Sequence, residues 1–291
     1  MGKLIGAGLV IVILVSVLAF LLGRPVTVRA EKPKIKNWIC YYGNRFGPDI
    51  YSRFDLVVFN GINHPPLMEG KNGRPIFLGY ASVGELEKSA PVWHRAKGKP
   101  FLIKKNEFWD SWIVDVRDEA WQALLFRYVI ASVFKRGFDG ILLDTFDSSL
   151  DLLHGNGKAK YKGTRRALVE ITKRIRKEYP DKYIAVNRGL SILPDIAKYI
   201  DFILAEDLYS YYNDRLKKYE RVSKETRDLL LEQIEAGLKE NPDLIVLSLD
   251  YAEETQRDII KEAIIFSKKR GFIPYVTTYR LDEIFFHTLS P

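Results

Sequence analysis

The residues of this chain best suited to chemistry are acids that close apolar runs. Gly137-Phe138-Asp139-Gly140-Ile141-Leu142-Leu143-Asp144-Thr145-Phe146-Asp147 follows a helix stop, passes through a short apolar strand and finishes on two carboxylates. Phe202-Ile203-Leu204-Ala205-Glu206-Asp207 repeats the arrangement, and between them Ile184-Ala185-Val186-Asn187 ends on an amide. A carboxylate at the end of a buried strand has lost water and needs a partner or a task. In parallel α/β proteins the carboxyl ends of strands are where ligands gather. Three successive polar ends therefore predict one site. Two carboxylic groups about 5–9 Å apart are sufficient for glycosidic cleavage, one as acid and the other as nucleophile or base.

Other polar strand ends would share that mouth: Tyr42, Asn60, Tyr80, Ser82 and Glu85 early, then Asp115, and Asp250 with Tyr251 late. Some of these acids have structural uses too. Asp139 suits the turn Gly-Phe-Asp-Gly, Asp147 could cap the next helix, and Glu85 could cap or pair with Arg53 or Lys88. Competing chemistries lack carriers. His64, His94, His154 and His287 lie in separate segments without metal-ligand spacing, so no metal site is expected. There is no Gly-x-Ser-x-Gly elbow and no phosphate-cradling loop, and no cofactor is expected. Cys40 is the one cysteine, which excludes an intramolecular disulfide, and its apolar surroundings suit packing as a small hydrophobe.

The elements that must position these groups alternate between short apolar strands and amphipathic helices, the mark of a parallel sheet with crossover helices. Strands are expected over 38–42, 55–60, 75–82, 111–116, 140–146, 183–187, 202–206, 244–250 and 273–278, several of them continuous apolar runs as in a sheet buried on both faces. Helices are expected over 118–136, 163–178, 223–240 with Ser223 as N-cap, and 254–270, with a short helical stretch around Glu85 to Lys88. Lys-Arg-Gly-Phe occurs twice, at 135–138 and 269–272, each time as a basic last turn with a glycine stop. The fold class is α/β, a (β/α)8 TIM-type barrel. Nine strand candidates are one more than it needs, so an extra strand is expected between 75 and 116.

The first 30 residues differ in composition. Leu4 to Leu22 is an uncharged apolar run of 19 residues between Lys3 and Arg24. It is long enough to span a bilayer, and Val28-Arg29-Ala30 fits the small-residue rule for signal cleavage. Residues 1–30 are thus a signal peptide or membrane anchor, 31–36 a charged linker and 37–291 one barrel domain. The barrel is expected outside the cytoplasm, at the cell surface or secreted. Without Lys3, Arg24 and Arg29 the formal charge falls from +8 to +5. The basic runs, Lys158 to Arg176 and Lys217 to Lys224, lack interleaved aromatics and look like solvated faces, so no nucleic-acid partner is expected. Abundant Lys and Glu with only 2 Met give a thermophile-like composition.

Tyr80-Ala81-Ser82-Val83-Gly84-Glu85, Trp112-Ile113-Val114-Asp115-Val116, Gly137-Phe138-Asp139-Gly140 through Asp144 and Asp147, Val186-Asn187-Arg188-Gly189 and Ala205-Glu206-Asp207 together resemble the serial motifs of glycoside hydrolase family 114. The resemblance runs in order over about residues 37–280. It implies a barrel with an extra strand, similar to endo-α-1,4-polygalactosaminidases, that hydrolyses galactosamine-containing polysaccharide. By motif position the family's catalytic Asp matches Asp144 and its catalytic Glu matches Glu206. Tyr80, Glu85, Asp115, Asp147 and Asn187 match cleft-lining positions.

Environment points to roles for the pair. Glu206, after an apolar run and near Tyr209, is expected to stay protonated as general acid/base. Asp144 is expected to stay ionised as nucleophile or water-activating base, helped by Thr145 or Asn187. Asp147 and Asp207 are alternates, since strand-end side chains alternate in direction. Glu85, Asp115 and Asp250 would favour a cationic amino sugar. Tyr209, Tyr211, Tyr212, Trp109 and Trp112 are sugar platforms or core and rim residues. The alternative function is a non-catalytic carbohydrate-binding barrel on the cell surface.

Overall fold

The computed structural model describes residues 32–70, 73–155 and 157–287. The apolar run 4–22 and the cleavage motif at Ala30 lie outside these residues. Among the described residues no helix is long and apolar enough to cross a membrane.

Eight parallel strands form the main sheet. They are β1 (Trp38–Tyr41), β2 (Leu56–Asn60), β3 (Ile76–Ser82), β7 (Gly140–Asp144), β8 (Tyr183–Asn187), β9 (Phe202–Glu206), β12 (Ile245–Tyr251) and β13 (Ile273–Thr277), adjacent in that order. The sheet curls into a nearly closed barrel. The indole nitrogen of Trp38 donates to the carbonyl of Ile273 at 2.8 Å, and the amide of Tyr42 donates to the carbonyl of Leu281 at 2.6 Å, so contacts join the first strand to the last. Each strand is an apolar run because helices cover its outer face and side chains fill the interior. Helix Thr164–Glu178 buries Leu168, Ile171, Thr172 and Ile175, a stripe at helical spacing. Ser223 caps helix Lys224–Glu240 by accepting the amide of Thr226 at 3.2 Å. Both Lys-Arg-Gly-Phe stops work as expected: Gly137 and Gly271 take φ of 93° and 74°, where a side chain would be strained.

The ninth expected strand lies outside the barrel. Ser111–Val114 (β6) is the middle strand of a small antiparallel sheet with β4 (Glu85–Glu87) and β5 (Leu102–Asn106), inserted between β3 and β7. Residues 85–87 are therefore strand, where the sequence suggested a helical stretch; pairing with β6 decides it. The insertion sits hard against the barrel rim, with the amide of Gly84 donating to Oγ1 of Thr145 at 2.7 Å. A Cβ on Gly84 would run into the Thr145 carbonyl. The helix expected over 118–136 is present but interrupted, since Leu125–Ile130 widens to a π-helix between Glu119–Leu124 and Ala131–Lys135. A hairpin of β10 (Ser210–Asn213) and β11 (Lys218–Arg221) follows β9.

Candidate active site

Strands β7, β8 and β9 end at Asp144, Asn187 and Glu206. In each case the next residue, Thr145, Arg188 or Asp207, has a left-handed backbone, with φ of 68°, 52° and 55°. None is glycine, so each turn costs of order 1 kcal/mol or more. Three neighbouring strands thus leave the sheet by the same strained turn, immediately beyond the three polar side chains they deliver to the mouth.

Those side chains form one constellation. The Asn187 amide nitrogen donates to Asp144 Oδ1 at 2.9 Å and to Glu206 Oε2 at 2.7 Å. Two acceptors on one nitrogen at these lengths are less than about 6 Å apart, inside the range over which paired carboxylates cleave glycosidic bonds. Glu206 also accepts from the Tyr251 hydroxyl. Asp144 accepts further hydrogen bonds from the backbone N–H of Thr145 and the hydroxyl of Tyr80. Burial and then the charge of Glu206 nevertheless push the Asp144 carboxyl up to about 7. The sequence-based expectation that Asp144 stays ionised is corrected accordingly: its three donors are present but do not outweigh lost water and a neighbouring like charge.

The pair lies in a cleft of about 520 Å³ at the carboxyl ends of the strands. Alternation along each strand supplies its floor: Cys40 and Tyr42, Tyr80 and Ser82, Leu142 and Asp144, Leu204 and Glu206, Leu249 and Tyr251. Burial pushes the Cys40 thiol up, so it stays protonated and serves as packing. Six carboxylates line the cleft, Glu85, Glu87, Asp144, Asp147, Asp151 and Glu206, against one cationic side chain, Arg188. Arg188 is engaged already, with Nε on Asp147 Oδ2 at 2.8 Å and a second nitrogen 3.7 Å from Asp207.

Of the residues singled out in the sequence, Tyr80, Glu85, Asp144, Asp147, Asn187 and Glu206 meet in this cleft, together with Tyr42, Asn60, Ser82 and Tyr251. Glu85 neither caps a helix nor pairs with Arg53 or Lys88. It is 4% exposed and accepts from the hydroxyls of Ser111 and Ser148 and from the Asn106 amide, all of them uncharged donors. Asp147 is no N-cap; it lies in helix Phe146–Asp151 and accepts the amide of Gly189 at 3.0 Å.

Asp115, Asp207, Tyr209 and Asp250 do not line the cleft, and neither do Trp112, Tyr211 and Tyr212. Asp115 is held by Arg117 at 2.7 Å; burial works against its charge, but that guanidinium keeps the carboxyl below its usual range. Asp207 is turned toward Arg188, and burial and the charge of Glu206 raise its carboxyl. Tyr209 packs on Phe266, its hydroxyl 3.1 Å from Glu262. Asp250 is fully buried and accepts the backbone amides of Tyr209 and Ser210 at 2.5 and 2.9 Å. The reason for Asp250 is parity: Leu249 and Tyr251 point into the barrel, so the residue between them points out.

Residues not marked in advance include Asn106, Ser148, Asp151 and Tyr279. Asp147 and Asp151, at i and i+4 on one helix, carried a signal; Asn106 and Tyr279 come from loops and insertions whose placement only tertiary structure reveals. Tyr211 pairs with Glu220 and Tyr212 stacks on Tyr279. Trp109, which could have been core, is exposed on the cleft rim. Among the described residues no cluster of His, Cys, Asp and Glu could hold a metal ion.

A barrel with a close carboxylate pair at its acidic mouth carries the machinery that glycoside hydrolysis needs. The chain belongs to glycoside-hydrolase family GH114, whose model matches residues 26–290. The fold is similar to the glycoside hydrolase domain of PelA from Pseudomonas aeruginosa, with a TM-score of 0.72 and 24% identity over 86% of this chain and 98% of that one. It is also similar to Ega3 from Aspergillus fumigatus, solved in complex with galactosamine, with a TM-score of 0.64 and 10% identity over 88% and 96% of the two chains. No curated protein matches the chain in sequence.

Proposed function

We propose that this glycoside hydrolase cleaves within polymers of α-1,4-linked galactosamine and keeps the anomeric configuration. The observation that carries the substrate reading is the charge of the cleft: six carboxylates face one already paired arginine on a protein of net positive charge. Such a cavity favours a cationic sugar over a neutral or acidic one. The bound galactosamine of Ega3 and the sequence motifs shared with polygalactosaminidases support the same choice.

The short span across Asn187 supports retention, since retaining pairs stand about 5–5.5 Å apart and inverting pairs about 6.5–9.5 Å. In this reading Asp144 is the nucleophile. It receives three donors, from Thr145, Asn187 and Tyr80, which are arranged for a carboxylate. Burial holds its carboxyl up to about 7. Positive charge developing at the anomeric carbon favours the ionised form, with the pair's proton on Glu206. Glu206 gives that proton to the glycosidic oxygen as an Asp144 oxygen bonds to the anomeric carbon and the glycosidic C–O bond breaks. Glu206, now ionised, takes a proton from water; the hydroxide attacks the anomeric carbon and Asp144 leaves as carboxylate.

We place the enzyme outside the cytoplasm, tethered by residues 4–22 or released after Ala30, on the length and lack of charge of that run. Mass spectrometry of the native N-terminus decides between the two, and an intact Met1 on a soluble cytoplasmic protein would contradict both. For activity, wild type, Asp144→Asn and Glu206→Gln are compared on de-N-acetylated and N-acetylated galactosamine polymers. Cleavage of the cationic polymer by wild type, lost in both variants, supports the reading. Preference for the N-acetylated polymer would overturn the substrate choice.

A further inference from the structure

The cleft has an aromatic rim that the chemistry above does not use. Trp109 lies in the turn between β5 and β6, lines the cleft and is 60% exposed; beside it Phe108 is 49% exposed, the two rings edge to face with centroids 4.5 Å apart. Two large adjacent apolar side chains left in water at the edge of a binding cleft mark a surface that a ligand covers. The turn that carries them is built rather than slack. The Asn106 side-chain oxygen accepts the amide of Phe108 at 3.2 Å, while its nitrogen donates to Glu85 inside the cleft. Asp110, at a φ of 46°, is flanked by Lys105 and Lys88 at 3.4 and 3.6 Å. Asn106 thus couples the position of the rim aromatics to a carboxylate of the substrate wall.

We infer that Trp109 is a stacking platform for a sugar unit remote from the cleaved bond, and that it makes the enzyme discriminate by chain length. The proposal rests on the galactosamine reading and extends it to a further subsite. The chemistry of the ligand fits. In a galacto-configured ring the hydrogens on C3, C4 and C5 lie on one face, giving a continuous apolar patch that an indole can cover. The ammonium of such a unit would lie in the field of Glu87 and Asp151, outer carboxylates of the same cleft. Because Trp109 comes from the inserted sheet and not from the barrel, loss of its ring leaves the paired carboxylates and Asn187 untouched.

The test is the kinetics of α-1,4-galactosamine oligomers of increasing length with wild type, Trp109→Ala and Trp109→Phe, each first checked for unchanged melting temperature. Trp109→Ala is expected to raise KM for the long oligomers about tenfold with kcat nearly unchanged, to leave the shortest cleaved oligomer unaffected, and to be largely rescued by Trp109→Phe. Normal cleavage by wild type with a KM in Trp109→Ala that does not change, or that changes equally at every length, overturns the platform and leaves the substrate reading standing. Failure of wild type to cleave any of the oligomers overturns the substrate reading and the platform with it.

Discussion

Asp144 and Asp250 have much in common and do different work. Each belongs to the carboxyl-terminal end of a barrel strand, and burial pushes each carboxyl up to about 7. Asp144 points into the barrel, where it meets Glu206 through Asn187 and opens on the cleft. Asp250 is one residue out of phase with the inward positions Leu249 and Tyr251, and anchors the backbone amides that lead into the β10–β11 hairpin. A perturbed carboxyl at a strand end is thus no sufficient sign of catalysis. The second carboxylate and the open cavity separate the two cases.

Turnover should separate them most. Asp144→Asn and Glu206→Gln are each expected to lower kcat on the galactosamine polymer by at least about a thousandfold, whereas Asp250→Asn should stay within about tenfold of wild type. A comparable loss in Asp250→Asn would break the distinction. Asn187→Ala removes the hydrogen bond to both carboxylates, and a charge-assisted bond of about 1.5–3 kcal/mol translates to a loss of roughly 10- to 100-fold in kcat/KM. Steady-state assays with circular dichroism as a folding control check all four variants.

Thermal stability should also separate them. A carboxyl at about 7 in the folded protein holds its proton while the unfolded chain, near 3.8, has lost it, so stability is fully present below about pH 4 and declines as pH rises toward 7. Asp144→Asn removes that decline, and its melting temperature should exceed that of wild type by a few degrees at pH 8, with the advantage vanishing at pH 4. Asp250→Ala leaves the Tyr209 and Ser210 amides without their acceptor and should melt roughly 5 °C lower at pH 4, with the deficit narrowing toward pH 8 because the substitution also removes a carboxyl raised to about 7. Calorimetry across that interval decides. The smallest effect is electrostatic: Glu206→Gln removes a like charge, so the Asp144 carboxyl should titrate below about 7, visible by NMR.

The sequence carried the barrel well, because each barrel strand is an apolar run bounded by polar or glycine residues and each stop at Lys-Arg-Gly-Phe is local chemistry. Asp144, Asn187 and Glu206 were legible for the same reason, as the final residues of three such runs. What failed depended on contacts far apart in sequence. Parity along β12 sent Asp250 outward, and Arg117 took Asp115 away from the mouth. The β10–β11 hairpin gave only a faint turn signal in Asn213-Asp214: residues 214–217 contain neither glycine nor proline, and Lys217 takes a φ of 51° in their place. Three-residue β4 is too short to show a period and exists through its pairing with β6.

The central claim, that Asp144 and Glu206 act as a retaining pair, is tested most directly by trapping the intermediate. Wild type and Glu206→Gln are incubated with a slowly released fluorinated galactosaminyl substrate, digested and analysed by mass spectrometry. The peptide carrying Asp144 is expected to gain one glycosyl unit, and the first product is expected to keep the α configuration by NMR. A label on Glu206, or no label together with an inverted product, would contradict the account.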